Sequence, residues 1–129
     1  MIGGQQGLSA PAAYRAVEGI SADPEELMKM ALDGARAKLL QAEAAIAAGD
    51  QPAKAAALSA ASDIIQFLLG LSGIERGELS DRLAEAYRYA MMAIVVANAG
   101  DDAEAAMAGR TVIEQLAAVW RNTFPDAAE

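Results

Sequence analysis

The stretch Asp23-Pro24-Glu25-Glu26-Leu27-Met28-Lys29-Met30-Ala31-Leu32, continuing to Gly49, decides the fold. Asp23 is a helix cap, Pro24 suits the first turn, and Glu26 stands three positions after Asp23, where a capping box places its acid. From there Met28, Leu32, Ala35, Leu39, Ala42 and Ile46 recur at alternating spacings of four and three. That spacing draws one continuous apolar stripe along a helix. Gly49 then supplies the residue that most readily turns left-handed at a helix end.

Working outward, the same rhythm returns three times. Ala57, Ala61, Ile64, Leu68 and Leu71 mark a helix over about 52–72, with Leu58, Ile65 and Leu69 widening its apolar arc. Leu83, Tyr87, Met91 and Ile94 mark a third over about 78–98, apolar all round in its second half. Asp101 and Glu104 have capping-box spacing, and Val112, Leu116 and Val119 form the seam of a fourth over about 101–123, with Ile113 and Trp120 alongside. Four such helices with short polar links imply an all-α, antiparallel four-helix bundle. Residues 12–18 add a short extra N-terminal helix, and the glycines before it make 1–11 a flexible lead. The 129 residues fit one domain.

Composition narrows the function. The chain has no Cys and no His, which removes thiolate chemistry, the commonest base at neutral pH and the usual zinc or di-iron ligands. Cofactors are not expected, and Glu25, Glu26 and Glu104 read as caps rather than catalytic acids. No Gly-Lys-Ser or Gly-x-Gly-x-x-Gly signature cradles a phosphate. A formal charge of −8, with ten scattered Lys and Arg, excludes nucleic acid as a partner. The most apolar run, 89–97, falls well short of the roughly 20 residues that cross a bilayer, so membrane insertion is not expected either. No secretory signal is visible at the N-terminus, which points to the cytoplasm.

Several segments together resemble the FliS family of flagellin export chaperones. They are residues 14–17 beginning at Tyr14, Ser21-Ala22-Asp23-Pro24-Glu25-Glu26-Leu27, and Met30-Ala31-Leu32-Asp33-Gly34-Ala35. Downstream follow Gly49-Asp50, Ala61-Ser62-Asp63-Ile64-Ile65, Leu83, Ala86-Tyr87-Arg88-Tyr89, Ala97-Asn98 and Trp120. The family's opening runs tyrosine, a short spacer, Ser-Pro-Glu-Glu-Leu, then Met-Leu-Tyr-Asp-Gly-Ala. The resemblance implies a non-enzymatic cytoplasmic bundle that binds the disordered C-terminal segment of flagellin, prevents premature polymerisation and delivers it to an export-gate component of the type III apparatus. Two departures stand out: Ala31-Leu32 replaces a frequent Leu-Tyr, and Met92, Ala93 and Val96 stand where charges are frequent.

A bundle holding a disordered guest needs apolar surface beyond its own core. The expected partner-binding residues are Tyr14, Leu58, Ile65, Leu69, Tyr87, Met91, Met92 and Val96. Ile2, Leu8 and Tyr14 are further expected to cover that surface until the guest arrives. The competing reading is a homodimeric signalling or scaffold bundle paired through the apolar third helix, and weak self-association is compatible with both.

Overall fold

The computed structural model describes residues 23–72 and 77–123; the expected N-terminal helix and Tyr14 lie outside them. Among the described residues there are four helices and no strand: α1 (Pro24–Ala48), α2 (Gln51–Ser72), α3 (Glu78–Gly100) and α4 (Ala103–Thr123). Each helix packs on two others, α1 on α2 and α4, and α3 on α2 and α4, an arrangement consistent with a four-helix bundle.

The helix ends follow from local chemistry. Asp23 Oδ1 accepts from the Glu25 amide at 3.0 Å, and Pro24 opens α1. Gly49 ends α1 with φ 72°, its amide donating to the Ile46 carbonyl. Asp50 Oδ1 accepts from the Ala53 amide at 3.1 Å and so caps α2 directly after that turn. The end of α3 departs from expectation. The helix runs through Gly100, Asp101 takes the left-handed conformation at φ 49°, and the cap of α4 is Asp102, whose Oδ1 accepts from the Ala105 amide at 3.1 Å. Aspartate tolerates that backbone region better than most side chains, and its carboxylate gains partners there that a glycine would lack.

The core is built largely from alanine. Ala35, Ala42, Ala61, Ala90, Ala97 and Ala106 are fully buried, and they separate the larger Leu32, Leu39, Ile65, Leu68 and Ile113. Small residues let the helix axes approach closely. At Gly109 an added Cβ would stand 3.3 Å from the Ala93 Cβ, tighter than ordinary contact, so glycine there allows α4 to sit against α3. The core face of α4 is accordingly Ala106, Gly109, Ile113 and Ala117. Val112 and Leu116 lie at its edge, and Val119 is 62% exposed, which corrects the expected seam.

Side-chain contacts fix how the helices meet. Along α1 and α4 they run from the Trp120 indole donating to the Glu25 carbonyl, through Arg36 with Glu114, to Glu43 with Arg110. Along α2 and α3 they run from Ser72 with Ser80, through Ser62 with Met91, to Lys54 with Asn98. By length and composition α2 passes as a helix able to cross a membrane, contrary to the expectation from run length alone. Its Leu58, Ile65 and Leu68 are buried against the neighbouring helices.

Candidate functional site

Charge is distributed very unevenly around the four helices. On the α1–α4 side, Arg110 donates to both carboxylate oxygens of Glu43 through one guanidinium edge, Nε and Nη2, and through Nη1 to Glu114 at 2.9 Å; Arg36 donates to Glu114 at 2.9 Å. Hydrogen bonds donated to Glu43 and Glu114 hold the Arg110 guanidinium far above its ordinary range. Desolvation pushes Glu114 up, and the bonds from Arg110 and Arg36 outweigh it, leaving that carboxyl below its usual range. Asp33 and Arg121 add a looser pair at 3.6 Å.

On the opposite side, charge is confined largely to the N-terminal half of α3, where Glu78, Asp81, Arg82, Glu85 and Arg88 are exposed. Residues 89–100 of α3 contain no charged side chain, and the exposed residues of α2 are all uncharged. On α4, exposed Thr111, Gln115, Ala118, Val119 and Asn122 are uncharged, while Arg110 and Glu114 turn toward α1. Within this surface Tyr89 is 54% exposed, Met92 62%, Val95 60% and Val96 45%. Tyr89, Met92 and Val96 stand at helical spacings of three and four, so they form one stripe with Val95 beside it. The inward face of this half of α3 is Ala90, Ala93, Ile94 and Ala97, all buried.

The expected partner-binding residues divide sharply. Met92 and Val96 lie on the exposed stripe. Leu69 and Met91 are half-buried, packed against the core. Leu58, Ile65 and Tyr87 are core residues, 3%, 0% and 2% exposed, and offer no surface in this conformation. The reason is geometric: α2 packs on both α1 and α3, so its wide apolar arc is consumed by two neighbours. Tyr87 likewise faces inward, and burial pushes its hydroxyl up to about 12. Tyr14 lies outside the described residues. Tyr89 and Val95 also lie on the stripe, although neither stands among the expected partner-binding residues; Tyr87 and Tyr89 point in different directions on one helix, so that only one of them is fully buried. Among the described residues no group of three or more acids is placed to hold a metal ion.

Fold and face together define a class: an all-helical protein with an ion-paired seam between α1 and α4 and an exposed, uncharged apolar stripe on the C-terminal half of α3. The family described as Flagellar protein FliS matches residues 7–127, and the chain belongs to that family. It is 34% identical over 111 residues to the flagellar secretion chaperone FliS of Salmonella typhimurium strain LT2, a match covering 84% of this chain and 82% of that protein.

Proposed function

We propose that this protein is a flagellar secretion chaperone. It binds the C-terminal segment of flagellin in the cytoplasm, keeps it from polymerising early, and delivers it to an export-gate component of the flagellar type III apparatus. Family membership and the named relative support the chaperone role. The observation that carries the binding reading is the uncharged apolar stripe of Tyr89, Met92, Val95 and Val96 on a chain whose formal charge is −8. Such a stripe binds by removing apolar area from water, which gains about 25 cal/mol per Å² before the ordering of the guest is subtracted.

On this reading the chain is a single domain in which consecutive helices run antiparallel. Partner numbers that fall along α1 as they rise along α4, and fall along α2 as they rise along α3, support that direction. The chaperone works by holding a chain rather than by changing covalent bonds, so no catalytic residue is assigned. Two-residue links at Gly49-Asp50 and Asp101-Asp102 keep the stripe on a firm support.

Co-purification with flagellin, whole and lacking its C-terminal segment, tests this. Capture of the whole protein only is the expected outcome. Equal capture of both forms would move the guest site elsewhere in flagellin. A stable dimer that ignores flagellin would replace the reading with that of a homodimeric scaffold.

A further inference from the structure

Lys54 is the one charged residue buried among the described residues, at 5% exposure, and nothing in the docking chemistry above uses it. It sits in the first turn of α2, yet its ammonium serves a different helix. Nζ donates to the Asn98 carbonyl of α3 at 3.0 Å and to Asp101 Oδ1 at 2.5 Å. Gln51 Nε2 donates to the same carboxylate oxygen at 2.9 Å. The amides of Asp101 and Asp102 both return to the Ala97 carbonyl. The last turn of α3 has no basic residue of its own, so α2 supplies the cation that the negative end of α3 favours.

The structure assigns Lys54 a positioning role, resting on the proposed guest site: it clasps the C-terminal turn of α3 and thereby holds Val95 and Val96 where the guest meets them. The clasp joins the α1–α2 link to the α3–α4 link, so the turn that ends the docking stripe is fixed from outside its own helix. Its partners show why the role is separable from overall stability. Asp101 has a 54% exposed side chain and remains solvated without the lysine. Lys54→Met keeps the length of the buried alkyl stem and leaves no orphaned buried acid. What it removes is two charge-assisted bonds, one to the helix-terminal Asn98 carbonyl and one to the Asp101 carboxylate.

The test compares the full-length wild type with Lys54→Met and Lys54→Arg by amide hydrogen exchange, thermal melting and titration with a flagellin C-terminal peptide. In Lys54→Met, the Asp101 and Asp102 amides should exchange about tenfold faster and the peptide should bind about tenfold more weakly, with the melting midpoint little changed. Arginine, which offers the same charge and more donors, should restore binding to within about threefold. Unchanged exchange and affinity in Lys54→Met would overturn the proposal. So would a loss of affinity that follows a fall in melting midpoint and is not recovered by arginine. If the wild type itself fails to bind the peptide, the proposed function falls, and the exchange rates alone then uphold or overturn the clasp.

Discussion

The α1–α4 seam and the outer face of α3 solve opposite problems with the same alphabet. The seam spends charged side chains on one another: Arg110, Glu43, Glu114 and Arg36 form a connected network, with Arg110 and Glu43 only 19% and 16% exposed. The C-terminal half of α3, residues 89–100, carries no charge and leaves Tyr89, Met92, Val95 and Val96 in water. Paired charges fix two helices in one register, since a shift of one turn would leave a half-buried ion without its partner. Unpaired apolar side chains impose no such register and cost little until a partner arrives. The contrast separates the part of the molecule that must stay closed from the part that must remain available.

Four changes sharpen that contrast, the largest effect first. Leu39→Ala, at a fully buried position behind the seam, should destabilise the fold by about 2 to 5 kcal/mol in urea unfolding, because Leu39 reaches toward Gly109 and its loss opens a cavity. Tyr87, a buried core residue of α3, should make stability fall as pH rises from its unfolded value near 10 toward about 12. Its neutral form is favoured on folding, so the contribution is complete below pH 10 and is lost by up to about 2 to 3 kcal/mol above it. Unfolding of Tyr87→Phe across that window should lack this component.

Arg110→Met should cost about 1 to 3 kcal/mol in the same unfolding measurement, since it leaves Glu43 half-buried without its donor. Raising salt should weaken the wild-type seam while leaving guest binding by the α3 face intact or stronger. In acid the network acts in the expected direction. Glu114 is held below its usual range, so its contribution is present above the unfolded carboxylate value and is lost as pH falls through the folded one. The smallest effect is expected at Gly109→Ala, where the gain in helix propensity is offset by crowding of the Ala93 Cβ. The net loss in thermal melting should be under about 1 kcal/mol.

Much of the framework was legible in the sequence because apolar spacing and capping chemistry act locally. The stripe through Leu32, Ala35, Leu39 and Ala42 is buried as its spacing required, and Asp23, Pro24 and Gly49 mark the ends of α1. The seam of α4 was misread because large side chains drew attention to Val112 and Val119, whereas close approach made Ala106, Gly109 and Ala117 the true contact. The end of α3 was misplaced for a similar reason: Lys54 and Gln51 stabilise Asp101 from a distant part of the chain, which no local pattern reveals. For the exposed stripe, Met92 and Val96 were legible from an all-apolar helix half. Leu58, Ile65 and Tyr87 were not separable from it, since a wide apolar arc reads alike whether a second helix or a guest covers it.

The most direct measurement is titration of the flagellin C-terminal segment onto Met92→Glu/Val96→Glu, with Gln41→Glu on exposed α1 as control. Burying two carboxylates against an apolar guest should weaken binding about a hundredfold or more, while unfolding free energy changes by less than about 0.5 kcal/mol and the control binds as the wild type does. Wild-type affinity in the double variant would contradict the account.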